Sequence, residues 1–236
     1  MNVLSIASVN KKFGNLTSAA SAMLDPFLPA EKLRSHIGEL AEASALQLDS
    51  MLKGTEHILL VGCGIDFDEY CTPIVEMLTA KGAGFDIRCY WPETTYNATV
   101  EGGDITTIIQ DFSDGQGEDY DLAIIATSLL PSATFIEAFV SRLRSFETFQ
   151  RLVVSAGILA GDAELYLVDY EPNAIRFSAA SFLLSGLKAT PLPYARFEQT
   201  LARNRRYFRH MPQSIEEILV GRQPDLKTSL ARSFPI

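Results

Sequence analysis

Two stretches of the chain carry residues whose types and spacing could do chemistry. In Gly62-Cys63-Gly64-Ile65-Asp66-Phe67-Asp68-Glu69, the two glycines permit backbone conformations closed to other residues and let a ligand come close to the main chain. The acids behind them suit one of two uses. Asp66, Asp68 and Glu69 could form a carboxylate edge for Mg²⁺, or they could cap the helix that follows, whose dipole stabilises acids in its first turn by about 0.3–1 kcal/mol. Capping is the simpler reading. The second stretch is Thr127-Ser128-Leu129-Leu130-Pro131-Ser132-Ala133-Thr134, which reads as a loop of hydroxyls around one proline. Placed between a strand's carboxyl end and a helix's amino end, it would offer unpaired N–H groups and a helix dipole to an anion. The ligand-binding residues expected from the two stretches are Gly62, Cys63, Gly64, Asp66, Thr127, Ser128, Ser132, Ala133 and Thr134.

Other reactive types are scattered. Cys63 lies near a helix start that could lower a thiol pKa, but with no histidine beside it in sequence it reads as a small packing residue. His36, His57 and His210 fall on a helix, at a strand start and in a basic segment, so no catalytic dyad is inferred. Tyr90, Trp91 and Tyr96 could stack on a base, although aromatics at a strand end more often belong to a core.

The elements that must hold these residues follow from periodicity. Leu33, Ile37, Leu40, Ala41, Leu48 and Leu52 recur at helical spacing over residues 29–52, with Ser44 the one small polar member of the stripe. A shorter helix is expected within 15–24. Buried strands are expected at 57–61, 85–91, 105–109, 122–126 and 151–155, the last followed by an exit loop at 156–161. Helices are expected after the glycine stretch and through Phe135, Phe139, Val140 and Leu143. The run 165–170 reads as one more apolar segment, and 177–187 as a buried helix or a strand pair. Strands separated by helices predict an α/β fold, with a mostly parallel central sheet flanked by helices and ligand loops along one edge. We divide the chain into an N-terminal extension (1–28), an α/β domain (29–193) and a C-terminal basic helical segment (194–236). That last segment carries Arg196, Arg203, Arg205, Arg206 and Arg209, and is read first as a solvated helix face.

Composition narrows the classes. A chain of 236 residues, 47% hydrophobic and 21% charged, can bury a full core, and its formal charge of −9 argues against a general nucleic-acid or anionic-membrane binder. Three cysteines without CxxC or paired Cys/His spacing indicate neither a disulfide framework nor structural zinc, which points to a reducing compartment. No apolar stretch approaches a membrane span, and no secretion signal is recognised. We read the protein as cytoplasmic, which makes the sequons at Asn15 and Asn97 chance matches. A homodimer or a partner protein is the assembly expected.

Two family resemblances bear on these residues. VGCG followed by YDLAII and RLVVS resembles S-adenosylmethionine-dependent methyltransferases, which place an acid at the end of the second strand and a crossover helix after it. Here the candidate acid, Glu93, comes late, and 93–103 is too short for the crossover. The spacing resembles more fully the type I phosphoribosyltransferases, and within them the uracil branch, over about residues 30–170. That resemblance implies a helical lead-in at 29–52, a pyrophosphate loop at 61–67, a projecting hairpin beginning at Cys89-Tyr90-Trp91-Pro92-Glu93-Thr94-Thr95, and a ribose-phosphate loop at 126–134. The chain departs from the pattern at both loops. It lacks the family's acidic residues before Thr134, and it has Ile65-Asp66 where the uracil branch has an arginine. The expectation is therefore a phosphoribosyltransferase-like protein that binds a phosphorylated or nucleotide-like ligand, with Mg²⁺ as the cofactor to test, and without ordinary transfer from phosphoribosyl pyrophosphate. The alternatives are a methyltransferase and a non-catalytic structural or regulatory partner domain.

Overall fold

The structure is a computed structural model that describes residues 16–23, 25, 28–96, 104–115, 119–182 and 212–222. The basic run at 194–210, the asparagines of both sequons and the glycine pair at 102–103 lie outside the described residues. In chain order the elements are α1 (Leu16–Met23), α2 (Ala30–Met51), β1 (His57–Cys63), a π-helix (Phe67–Cys71) and α3 (Thr72–Lys81). There follow β2 (Gly84–Tyr96), β3 (Asp104–Ser113), β4 (Asp119–Leu130), α4 (Ala133–Phe146), β5 (Thr148–Ala160), α5 (Gly161–Tyr170), β6 (Ile175–Phe182) and α6 (Gln213–Arg222).

The six strands form one sheet in the order β3-β2-β1-β4-β5-β6. All neighbours are parallel except β2 and β3, which pair antiparallel from Arg88–Ser113 to Tyr96–Asp104. This is the expected α/β architecture, and the strand order reverses between β1 and β4. In such sheets the crevice beyond the carboxyl ends of the strands at the reversal is the usual ligand position. The β2–β3 pair is the projecting hairpin that the phosphoribosyltransferase resemblance implies; a methyltransferase crossover would have delivered a parallel neighbour instead.

Burial explains why these segments take these forms. β1, β4 and β5 have sheet neighbours on both edges and helices over both faces, so their apolar runs are continuous rather than alternating. Helix α2 buries Leu33, Ile37, Leu40, Ala41, Ser44 and Leu48 along one stripe, against α1, α3, β5 and β6. Helix α4 covers β2, β3 and α5, with Phe135 stacked on Phe139 at 5.0 Å between ring centres. Leu16, Ala19, Ala20 and Met23 of α1 and Ile215 of α6 belong to the same core cluster as the sheet.

Several sequence expectations need correction. β4 does not stop at Ala126: Thr127, Leu129 and Leu130 pair with Ala156, Ile158 and Leu159, so both the hydroxyl loop at 127–130 and the exit loop at 156–160 are strand. Each supplies the other's hydrogen bonds, which neither segment reveals alone. β2 continues past Pro92, where the register with β3 shifts. β1 pairs with β2 only as far as Tyr90, so the proline sits where no β1 partner needs its missing N–H. Residues 165–170 belong to helix α5, which buries only Ala163 and Leu167 and leaves Leu165 63% and Tyr170 71% exposed. Its acidic first turn, Asp162 and Glu164, is the helix signal that the apolar run obscured. Ile175–Phe182 is a single edge strand as far as the structure describes it.

Candidate functional site

The sheet brings the two sequence-predicted stretches together at its carboxyl edge. β1 and β4 are adjacent, and their register ends at Gly62–Ala126, so β4 runs on past the last rung it shares with β1. Ser128 lies beyond that rung. Its backbone N–H, which no longer has a strand beside it, donates to Asp66 Oδ2 at 2.6 Å, and the Thr127 hydroxyl donates to the same oxygen at 3.1 Å. Asp66 thus crosses from the turn after β1 and takes the place of the missing strand.

This carboxyl group is 1% exposed, and burial pushes its pKa from 3.8 up to about 6, against the lowering effect of its bonds to Ser128 and Thr127. Glu69 pushes the same way. Among the described residues, Asp66 Oδ1 and Ser128 Oγ are buried without a hydrogen-bond partner of good geometry. Beneath them the Ser44 and Tyr70 hydroxyls meet at 2.6 Å, giving the one polar member of the α2 stripe its partner. Burial raises the Tyr70 phenol well above its ordinary value.

The three acids do not converge. Asp66 is turned to β4, while Asp68 accepts from the backbone N–H of Ser214 at 3.0 Å and its hydroxyl at 2.7 Å, capping α6. Glu69 pairs with Arg34 of α2 at 3.3 Å. Among the described residues there is no group of three or more His, Cys, Asp or Glu side chains arranged to hold a metal ion. Asp68 and Glu69 stand in the first turn of the helical segment that follows, as the capping reading expects, although none of the three acids caps it through a side-chain hydrogen bond.

The glycines serve packing. Gly62 and Gly64 both have negative φ, so neither needs a conformation special to glycine. What excludes a side chain is proximity: a Cβ on Gly62 would come within 2.3 Å of the Phe67 ring and 2.8 Å of Cys71 Sγ, and one on Gly64 within 2.3 Å of the Trp91 indole. The chain's own aromatic rings therefore lie where a ligand was expected. Trp91, at 4% exposed, belongs to the core, as does Tyr90, which meets Phe139 edge-on at 5.3 Å. Cys63 is buried too. Gly64→Ala is expected to lower unfolding stability by about 1–3 kcal/mol through overpacking and to shift the emission of Trp91, the only tryptophan of the chain. Chemical unfolding followed at that fluorophore checks both.

Farther along, Pro131 and Ser132 alone separate β4 from α4. The Ser132 hydroxyl caps the helix, accepting from Phe135 N at 3.3 Å. It also meets the Thr134 hydroxyl at 3.1 Å, which meets Thr106 at 3.2 Å, which meets Thr94 at 2.9 Å. A chain of four half-buried or buried hydroxyls thus runs from the start of α4 onto the hairpin. Sequence reasoning found Ser132 and Thr134 but not Thr94 and Thr106, because their approach depends on the hairpin register. Ala133 N donates at 3.1 Å to Asp162 Oδ2, an exposed bond from the first turn of α5. The expected site residues accordingly form two groups: Gly62, Cys63, Gly64, Asp66, Thr127 and Ser128 in a closed, packed turn, and Ser132, Ala133 and Thr134 at a more open helix terminus.

His57 lies at the opposite, amino edge of the sheet. Its Nε2 stands 3.6 Å from Asp86, which accepts from the Tyr120 hydroxyl at 3.0 Å, and it lines a cavity of about 720 Å³ with Thr79, Phe85 and Ile218. His36, on α2, stands 3.8 Å from Glu39. His210 lies outside the described residues.

No protein family's sequence profile matches the chain, and no curated protein matches it in sequence. Solved structures do match in shape. The AQ2163 protein from Aquifex aeolicus superposes with a TM-score of 0.50 at 13% identity, over 70% of this chain and 83% of that one. Adenine phosphoribosyltransferase from Thermoanaerobacter pseudethanolicus gives a TM-score of 0.40 at 17% identity, over 63% and 86%. A Neisseria gonorrhoeae protein with bound ppGpp gives 0.39 at 13%, over 63% and 80%. At these identities the likeness to the Aquifex protein is one of fold, a mostly parallel α/β sheet flanked by helices.

Proposed function

We propose that the protein binds a phosphorylated or nucleotide-like small molecule at the carboxyl edge of the sheet, where the N-terminus of α4 faces the β2–β3 hairpin, and does not carry out ordinary transfer from phosphoribosyl pyrophosphate. The observation that carries the reading is the hydroxyl chain Thr94–Thr106–Thr134–Ser132 beside the first turn of α4. Hydroxyl protons can turn toward phosphate oxygens, and the helix dipole favours the negative charge. Asp162 holds Ala133 N from the surface, so a ligand anion could replace it at modest cost. Absence of transfer is supported by the first turn, where Phe67, Trp91 and the buried Asp66 fill the space a pyrophosphate would need. Since Asp66, Asp68 and Glu69 each face a different partner, any Mg²⁺ would be held chiefly by the ligand's own phosphate oxygens.

The test is calorimetric titration with inorganic phosphate, ribose 5-phosphate and purine and pyrimidine nucleoside monophosphates, alongside an assay of pyrophosphate release from the donor with a panel of free bases. We expect saturable binding of at least one phosphate ester, weakened about tenfold by Thr134→Val as one hydrogen bond is lost, with no pyrophosphate release. Binding indifferent to Thr134→Val would remove the site, and turnover with any base would restore the transferase.

A non-catalytic partner domain is the second reading, and the apolar surface favours it. Leu165, Val168 and Tyr170 stand exposed on α5, and Ile105 and Ile109 on the edge strand β3. Sedimentation of the purified chain over a concentration series checks whether a second copy covers them.

A further inference from the structure

We propose that Asp66 is a pH-operated latch on this edge of the sheet: protonated, it lies inside and ties the turn after β1 to β4; ionised, it leaves for water and exposes the Ser128 N–H and Thr127 hydroxyl. The regulatory sense of the latch rests on the ligand site proposed above, which begins just past the end of the same strand.

The geometry separates this carboxyl group from an ordinary buried acid. Acids held ionised inside proteins are usually paired with cations, and Asp66 has no cation paired with it among the described residues. It receives two donors on Oδ2 and the Ser128 hydroxyl also favours its charged form, yet burial outweighs all three, and Oδ1 is buried without a partner of good geometry. Among the described residues, the surrounding elements present no compensating charge. The π-helix contributes Asp68, Glu69, Tyr70 and Cys71; Asp68 is bound to the start of α6, and Glu69 disfavours ionisation. Cys63 of β1 and Cys89 and Trp91 of β2 add buried apolar surface. Arg34 of α2 is turned to Glu69. A neutral carboxyl suits such a place and a carboxylate does not.

The turn is anchored to β2 by the Gly64 N–H to Tyr90 O at 2.8 Å, whereas its ties across to β4 are made by side chains. Asp66 joins it to the rest of the fold through its own N–H to Cys63 O at 3.2 Å and its carbonyl to Tyr70 N at 2.8 Å, both within the same local segment. Across to β4 the turn is tied by the Asp66 side chain and by that of Cys71, whose thiol reaches Ala126 O at 3.6 Å. Release of the carboxylate therefore removes the principal polar tie between the turn and the strand. The direction follows from linkage. The carboxyl titrates near 6 when enclosed and near 3.8 when free, so the closed form is favoured at low pH. The opening equilibrium should rise by about 60-fold between pH 4 and pH 8, most of the roughly 160-fold by which the closed form holds its proton more tightly than the open one.

Hydrogen exchange of the intact protein, without any ligand, tests the latch. Protection in a peptide covering Ser128, corrected for the intrinsic pH dependence of exchange, is expected to fall by roughly 30-fold from pH 4.5 to pH 8, with acrylamide quenching of Trp91 rising over the same range. Asp66→Asn should show neither change. Constant protection in the wild-type protein would overturn the latch, and so would the same loss of protection in Asp66→Asn, which would assign the transition to another group. Because no ligand is used, these outcomes bear on the latch alone, while the titration with phosphate esters bears on the site alone.

Discussion

Asp66→Asn is expected to stabilise the folded protein by up to about 3 kcal/mol at pH 8 and by little at pH 4. The sign follows from the way burial moves the group. The folded-state pKa, about 6, lies above the 3.8 of the free group, so between these values the folded state holds a proton that the unfolded state has released. Stability attributable to this group is therefore greatest below about pH 4, declines as pH rises, and reaches its lowest level above about pH 6. The difference between the two values corresponds to about 3 kcal/mol, less whatever the folded state recovers by letting the carboxylate escape. Asparagine keeps an oxygen to accept from Ser128 N and the Thr127 hydroxyl, fits the same volume and cannot ionise. Urea unfolding of both proteins at pH 4, 6 and 8 should give curves of stability against pH that converge in acid and separate toward neutrality. Loss of stability in the variant at pH 8 would show that the carboxylate is held there favourably, contrary to the geometry.

The same residue marks how far the sequence could be read. Lengths and periodicities disclosed what depends on local pattern: the lead-in helix, the buried runs that became β1, β4 and β5, and the helix carrying Phe135, Phe139 and Leu143. The phosphoribosyltransferase resemblance implied the hairpin after Cys89, and the shortness of 93–103 argued against a crossover. The ends of strands were another matter. Thr127 to Leu130 look like loop by composition, with hydroxyls ahead of a proline, and become strand only because Ala156, Ile158 and Leu159 lie alongside. The glycines at 62 and 64 were read as room for a ligand, and their space is taken by Phe67 and Trp91, one nearby in sequence and one a strand away. Asp66, Asp68 and Glu69 lie within four positions of one another yet face three different elements: Asp66 precedes the π-helix and turns to β4, while Asp68 and Glu69 within it face α6 and α2. Residue type located the candidate site; which groups face a ligand and which face one another is set by tertiary register, and that is not written locally.

A larger effect is expected far from that edge, at the buried ion pair between Arg88 of β2 and Glu147, the residue that ends α4. Both side chains are almost fully enclosed, and Arg88 Nε and Glu147 Oε2 lack further partners among the described residues, so each charge depends chiefly on the other. The Phe146 ring gives the Arg88 guanidinium a weaker contact at 5.8 Å, and shares its attraction with Arg142 at 4.3 Å. Two charges taken out of water recover their desolvation cost only while they remain paired. Glu147→Met leaves a buried guanidinium and Arg88→Met a buried carboxylate, and each should lower stability by about 3–5 kcal/mol. Replacing both by methionine removes the unpaired charge along with the pair and fills a similar volume with a flexible apolar chain, so the double variant should recover most of the loss, and could exceed the wild type. The double-mutant cycle from urea unfolding then gives a large coupling energy, and the slope of unfolding against urea should stay constant if the fold is unchanged. Single variants that each cost less than about 1 kcal/mol would mean that water reaches the pair and that the closure of α4 over β2 is looser than its packing indicates.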